Sequence, residues 1–199
     1  MICFAGQNEA SVLWEGCMQA LTVYCGSYSG NHRCYVEAAQ RLGTCLAERK
    51  ITLVYGGAQV GLMGVLADSV LGAGGDVVGI IPKPLNQANL VHQGLTRLEV
   101  VDSIQQRKSR MLELGDGLMA LPGGFGTLEE LFEALAWCQL KLHQKPCAVL
   151  NVNGYYDPLL SFLDQATNQE FLSTANRNLL LQAATPEDLL TLMMQPSND

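Results

Sequence analysis

The segment LPGGFGTLEELFEAL (121–135) contains a glycine-rich turn of the kind that binds phosphate. The turn follows an apolar, strand-like stretch and leads directly into a helical pattern. Backbone amides at the start of a helix attract anions, and glycine lets a ligand approach the backbone closely. A tight turn without a ligand is the alternative, although a turn alone rarely needs three glycines. We therefore predict a phosphate-binding loop whose contacts are Gly123, Gly124, Phe125, Gly126 and Thr127.

Two adjacent carboxylates, Glu129 and Glu130, lie within one helical turn of this loop. Glu130 stands three residues after Thr127, the spacing of a capping box, so its role could be to stabilise the start of the helix. Glu129 has no such local role and is our first choice for the chemistry. Because a carboxylate repels a phosphate, it must serve a different part of the ligand.

A cationic segment, QQRKSRM (105–111), is a second candidate contact for an anion. A run of cations on a short helix is often a solvated surface. Beside a phosphate loop, however, Arg107 can clamp the anion or a nearby oxygen, because a guanidinium forms paired hydrogen bonds with oxygen atoms.

Two further glycine-bearing turns follow predicted strands, at Gly26-Ser27 and in YGGAQVGLMG (55–64). In the second turn, Gly61 and Gly64 could instead allow a helix to pack closely against the sheet. The candidate ligand contacts in these turns are Gly26, Ser27, Gly56, Gly57, Gly61, Met63 and Gly64.

The elements that position these turns alternate between apolar runs and segments of helical period, which predicts βαβ units around a parallel sheet in one α/β domain. Predicted strands cover 20–26, 51–57, 76–82, 95–102, 117–124 and 146–152, with a short apolar segment at 178–184. Predicted helices cover 35–50, 61–75, 103–114, 127–142, 157–167 and 185–194. Right-handed crossovers bring the carboxyl ends of all the strands to one edge, so the glycine turns should meet there.

The predicted loop does not match the common dinucleotide and ATP patterns. Glu129 occupies the place of the third glycine in G-x-G-x-x-G, and G-x-x-x-x-G-K-[ST] is absent. The histidines His32, His92 and His143 lack metal-ligand spacing, and no C-x-x-C pair is present. The sequence therefore predicts one bound phosphate and no metal ion.

Length and composition limit the remaining options. The 199 residues suffice for one domain with a sizeable core, and a net charge of -7 argues against a nucleic-acid partner. No apolar run is long enough to predict a membrane span, and the seven cysteines without C-x-x-C pairs favour a reducing, cytoplasmic location. We divide the chain into an N-terminal extension (1–17), which is either an accessory segment or a start assigned too early, the domain (18–195) and a C-terminal tail (196–199).

Taken together, PGGFGTLEE, RKSRM, YGGAQVGLMG and KPCAVLNVNGYYDPLL resemble the Lonely Guy family of cytokinin-activating phosphoribohydrolases, long mislabelled lysine decarboxylases. The resemblance covers roughly residues 20–192. It implies a Rossmann-like, doubly wound homodimer that needs no cofactor. It also implies hydrolysis of the N-glycosidic bond of AMP or an N6-prenylated AMP, a small purine nucleoside 5′-monophosphate, to the free base and ribose 5-phosphate.

The resemblance also assigns roles to individual residues. It gives phosphate and ribose binding to the glycine loop, and catalytic or substrate-contacting roles to Arg107, Lys108, Glu129 and Glu130. Positive charge builds on the ribose as the bond breaks, and a carboxylate can stabilise it. Two positions depart from the family: Asn89 replaces its usual substrate-contacting glutamate, and Ala136 replaces a threonine that plant members commonly carry.

A second class of function stays open, a non-catalytic carrier of a nucleotide or a pterin-type cofactor, which resembles known uses of this fold. Arg107 and Glu129 favour the enzyme, whereas Asn89 favours the carrier. A pyridoxal-dependent decarboxylase is disfavoured, because neither fold nor motif indicates a cofactor lysine.

Overall fold

The computed structural model describes residues 18–195, so the predicted extension (1–17) and tail (196–199) lie outside the described residues. The strands are β1 (Ala20–Tyr24), β2 (Thr52–Tyr55), β3 (Val77–Pro82), β4 (Arg97–Val101), β5 (Gly117–Ala120), β6 (Cys147–Leu150) and β7 (Leu180–Ala183). They form one seven-stranded sheet in the order β4-β3-β2-β1-β5-β6-β7, and every neighbouring pair is parallel. The predicted parallel α/β fold is confirmed.

Helices cover both faces of this sheet. They are α1 (Arg33–Glu48), α2 (Gly61–Gly72), α3 (Ile104–Leu114), α4 (Phe125–Gln139), α5 (Asp157–Asn168), α6 (Thr174–Arg177) and α7 (Pro186–Met193), with 3-10 turns at Lys83–Leu85 and Val152–Gly154. One core cluster contains Leu46 of α1, Leu66 of α2 and Leu190 of α7. The other contains Met111 of α3 and Leu131 of α4. The sheet is therefore doubly wound, with a hydrophobic core on each face.

The direction in which the sheet grows reverses between β1 and β5. From β1 the chain adds β2, β3 and β4 on one side, and it then returns to add β5, β6 and β7 on the other. Helices α1 and α4, which follow β1 and β5, pack into opposite cores. The loops after these two strands therefore diverge and leave a crevice, which is where open α/β sheets bind ligands.

The boundaries differ from the sequence predictions mainly at the strand ends. Strand β1 ends at Tyr24 rather than at residue 26, and β5 ends at Ala120 rather than at 124, because the glycine turns have left the sheet before those points. The short segment at 178–184 contains the edge strand β7, and α6 had not been predicted. Within residues 18–195, no helix is both long enough and apolar enough to cross a membrane.

Candidate active site

A cavity of about 550 Å³ opens at the crevice between β1 and β5. Its size lies within the range of small-molecule sites, roughly 300–1,000 Å³. The walls come from the loop after β1, the loop after β5, the start of α4 and one side of α3. Predicted contacts that line it are Gly26, Ser27, Gly56, Met63, Arg107, Gly123, Gly124, Phe125, Gly126, Thr127 and Glu130.

The residues of the loop PGGFGT line this cavity. Among residues 18–195, no acceptor takes the amide N–H of any residue from 123 to 127. A Cβ on Gly124 or Gly126 would meet no atom within 4 Å, so open space lies beside both glycines. Unpaired amides at a helix start, next to open space, are the physical requirements for binding an anion.

Thr127 does not cap α4, so the predicted capping box with Glu130 is wrong. The helix begins two residues earlier, at Phe125, with Gly124 as its N-cap and no side-chain capping bond. Thr127 therefore lies inside the first turn, where it is buried and lines the cavity. Its hydroxyl lies so close to Gly123 that a Cβ on that glycine would collide with it.

Glu130 takes no part in capping α4 and instead forms an ion pair with Arg107 in the cavity wall. Nη1 of Arg107 lies 3.0 Å from Oε1 of Glu130, and its Nε donates to the carbonyl of Ile80 at 3.1 Å. The exposed fractions of the two side chains are only 16% and 10%. Gly56 makes room for this arrangement, because a Cβ there would collide with the guanidinium. The structure thus builds a largely buried cation–carboxylate pair beside the anion loop.

Burial raises the pKa of the Glu130 carboxyl above the ordinary glutamate value. The positive charge of Arg107 acts in the opposite direction and offsets part of that rise, while the neighbouring Glu129 adds to it. A carboxyl with a raised pKa exchanges a proton closer to neutral pH, which suits a group that must take or give a proton.

Glu129, our first choice for the chemistry, does not reach the cavity. Its carboxylate pairs with Lys108 at 2.5 Å, and its side chain is 56% exposed. Lys108 also binds Glu133 at 3.0 Å and does not line the cavity. Successive residues of a helix point about 100° apart. Glu129 and Glu130 therefore face different surroundings, and the structure brings Glu130 to the ligand side.

Three other predicted contacts support the walls without lining them. Gly61 and Gly64 allow close packing, since a Cβ would collide with backbone atoms of Ser27 and Gln59 respectively. Gly57 adopts a positive φ of 76° and packs near Ile80 and Ile81. The alternative interpretation of Gly61 and Gly64, as packing positions, therefore fits their environment.

The two positions that depart from the family pattern also lie off the cavity. Asn89 is exposed, and its backbone carbonyl accepts a hydrogen bond of 3.0 Å from Nε2 of Gln59. Ala136 is exposed on α4, and neither residue is in the cavity lining.

Several lining residues were missed from the sequence. They are Val23, Tyr24, Cys25, Tyr28, Ser29, Gly30, Tyr35, Leu62, Met111, Pro122 and Tyr155. Those in YCGSYSG lie at the end of β1 and in the loop after it, so the position of that strand at the reversal of the sheet was the available signal. Tyr155 comes from the distant NGYYDP segment, which has no local motif for a ligand contact. Burial raises the pKa of the Cys25 thiol, which disfavours a nucleophilic thiolate.

No lysine is present among the described residues that line the cavity. A pyridoxal cofactor is held through a Schiff base to a lysine, so this donor set does not fit one. Within residues 18–195, no group of three or more histidine, cysteine, aspartate or glutamate side chains is arranged to hold a metal ion.

Comparison with known proteins gives a consistent set of relatives. A family model described as "Possible lysine decarboxylase" matches residues 63–193. A cytokinin riboside 5′-monophosphate phosphoribohydrolase of Rhodococcoides fascians is 45% identical over 179 residues, covering 89% of this chain and 90% of that relative. One from Arabidopsis thaliana is 42% identical over 176 residues, covering 88% and 83%. The structure of the molybdenum cofactor binding protein of Rippkaea orientalis matches with a TM-score of 0.66 at 25% identity, covering 87% of this chain and 93% of that one.

Proposed function

We propose, since this chain belongs to the Lonely Guy family of cytokinin riboside 5′-monophosphate phosphoribohydrolases, that it hydrolyses the N-glycosidic bond of AMP or an N6-substituted AMP. The products are the free base and ribose 5-phosphate. The observation that carries the proposal is the largely buried Arg107–Glu130 pair beside a loop of unpaired amides in one cavity.

The anion loop fixes one end of the substrate. Its unpaired amides bind the 5′-phosphate, and the Thr127 hydroxyl adds a further polar contact. This anchoring holds the ribose at a set distance from the side chains of the wall. Correct orientation of reacting groups alone accounts for a large part of many enzymatic accelerations.

Glu130 and Arg107 serve the reacting end. Cleavage breaks the bond between ribose C1′ and the base nitrogen, and the oxygen of water forms a new bond to C1′. Positive charge builds on the ribose ring, and the Glu130 carboxylate stabilises it or takes the proton of the attacking water. The leaving base carries away the bonding electron pair and must gain a proton. Arg107 holds Glu130 in place, and its positive charge favours the ionised carboxylate by opposing part of the rise in pKa that burial causes.

If the loop binds the 5′-phosphate, AMP should be hydrolysed at least about tenfold faster than adenosine at equal, sub-saturating concentration, because adenosine lacks the charge-assisted contacts. Purified protein is incubated with each compound, and free adenine is measured by chromatography. Equal rates on AMP and adenosine would show that the loop does not bind the 5′-phosphate and is only structural. Absence of free base from both substrates, adenine from AMP and isopentenyladenine from isopentenyl-AMP, would contradict the proposed hydrolysis.

A carrier of a pterin-type cofactor is the second candidate, and the similarity to the Rippkaea orientalis protein supports it. The identity of 25% to that protein is well below the 42–45% shared with the phosphoribohydrolases. A carrier also has no need of the buried Arg107–Glu130 pair. The same adenine assay separates the two functions, because a carrier binds its ligand without releasing a base.

We further propose a homodimer located in the cytoplasm. Exposed apolar side chains on α3, α4 and the turn after α4 support a second copy: Ile104, Phe132, Leu140 and Leu142. Light scattering should give about twice the 21.5 kDa chain mass. A monomer that retains full activity would contradict the dimer as a working unit. The cytoplasmic location draws on the cysteine pattern of the sequence.

A further inference from the structure

The carbonyl groups of residues 121–124 are all occupied by donors from within the protein. The donors to these carbonyls are, in chain order, the Tyr156 hydroxyl at 2.7 Å, the Gly26 amide at 3.1 Å, the Tyr155 hydroxyl at 2.6 Å and the Leu128 amide at 3.1 Å. The amides that follow have no acceptor among residues 18–195. The carbonyls of the loop are therefore engaged within the protein, whereas its amides remain available to an acceptor from outside it, which is the polarity that an anion requires.

One of these peptide groups is free to rotate unless something holds it. The peptide that joins Gly123 to Gly124 has glycine on both sides, and glycine tolerates backbone angles that other residues avoid. In a planar trans peptide the C=O and the N–H point in opposite directions. A flip of this peptide would turn the Gly123 carbonyl and the Gly124 amide around together, and would replace a donor with an acceptor.

The Tyr155 hydroxyl is the group that opposes this flip. It donates to the Gly123 carbonyl at 2.6 Å, from the wall of the cavity. Its ring is fixed edge-to-face against Tyr35 and Tyr156, with centroids 5.8 and 5.0 Å apart. The segment that carries it is itself constrained, since Asn151 bonds both Asp157 and the Tyr156 amide at 2.7 Å.

We propose that Tyr155 is a positioning residue for phosphate recognition: by holding the Gly123 carbonyl, it keeps the Gly124 amide available to the anion. This inference rests on the proposed function, in that the anion is the 5′-phosphate of the substrate. Tyr155 acts through the backbone of the loop and takes no part in bond cleavage.

The test is Tyr155→Phe, which removes the hydroxyl and keeps the ring contacts. Binding of AMP and of inorganic phosphate is measured by calorimetry, and kcat is measured at saturating AMP. We expect both dissociation constants to rise by about tenfold, corresponding to one lost oriented hydrogen bond, while kcat stays within about threefold. Any activity on adenosine, which has no phosphate, should be unchanged. Unchanged dissociation constants, or equal losses on AMP and adenosine, would overturn the proposal.

Tyr156→Phe is the matched control. Its hydroxyl donates to the Leu121 carbonyl, but the peptide after Leu121 leads into Pro122 and carries no N–H to orient. We expect this variant to lower the melting temperature and to leave both dissociation constants within about twofold, because the hydrogen bond that it loses is structural only. An increase as large as that of Tyr155→Phe would indicate general loosening of the loop and overturn the specific role.

Failure of the proposed hydrolysis can be told apart from failure of this inference. If the wild type binds AMP and phosphate but releases no free base from either AMP or isopentenyl-AMP, the hydrolase proposal fails, and the binding comparison still decides the role of Tyr155. If the wild type binds neither compound, the positioning role falls as well.

Discussion

Glu130→Gln is expected to lower kcat for AMP by about 10²–10³, in line with the loss of one electrostatic stabiliser at a reacting centre. The substitution keeps the shape of the side chain and a hydrogen-bond acceptor for Arg107, but it removes the negative charge. Because only the transition state carries a full charge on the ribose, KM should change much less than kcat. Steady-state kinetics on the purified variant, with a thermal melt to confirm folding, makes the measurement.

Glu129→Gln is the control for this prediction. The residue neighbours Glu130 on the same helix, but its carboxylate pairs with Lys108 outside the cavity and is half exposed. We expect a change in kcat of less than about threefold, since exposed ion pairs contribute little energy. If Glu129→Gln were the more damaging of the two, the assignment to Glu130 would be wrong and the sequence-based choice would stand.

Arg107→Ala should lower kcat/KM for AMP by about 10², through loss of a largely buried positive charge beside the substrate. It should also change the pH dependence. Arg107 lowers the pKa of Glu130, so its removal raises that pKa further above the ordinary value. An activity that requires the ionised carboxylate is lost as pH falls through this pKa. The acidic limb of the kcat/KM profile should therefore move to higher pH in the variant.

Arg110→Ala is the matched control on the same helix. Arg110 pairs with Glu99 and Glu113 and does not line the cavity. The Arg110→Ala variant should keep the wild-type kcat/KM for AMP and the wild-type position of the acidic limb. If the acidic limb of the kcat/KM profile does not move in Arg107→Ala, Glu130 is not the titrating group. If Arg107→Ala retains normal activity, Arg107 has no role in the reaction.

The fold could be predicted because its central strands are buried on both faces. Strands such as β5 and β6 have every residue buried, so each appears in the sequence as a continuous apolar run between turn residues. Edge strand β7 was harder to recognise, because only one of its four residues is buried, while two are partly buried and one is exposed. Helix starts were also uncertain: Thr127 is a strong capping residue by type, yet Gly124 became the N-cap.

The site could be predicted only where its contacts are local in sequence. The glycine loop and Arg107 lie in short stretches whose residue types indicate their chemistry. The choice between Glu129 and Glu130 depended instead on which one faces α3 and the buried side, a tertiary property. Tyr155 lies 32 residues from the carbonyl that it holds, and no spacing rule connects the two. Asn89 lies in a loop without regular period, so the sequence alone could not establish whether it faces the substrate.

The anion loop has a consequence for mapping this protein by mutagenesis. Its donors are main-chain amides, which almost every substitution preserves, so an alanine scan would remove none of them. At Gly124 and Gly126 an added methyl group would contact no other atom of residues 18–195 within 4 Å. Any loss of activity in such a variant would therefore come from a steric clash between the methyl group and the bound ligand. Side-chain scanning would therefore identify Glu130 and Arg107 but not the main-chain donors of the loop. Replacing single amide linkages of the loop by esters deletes one N–H at a time, and would therefore measure the contribution of each main-chain donor to anion binding.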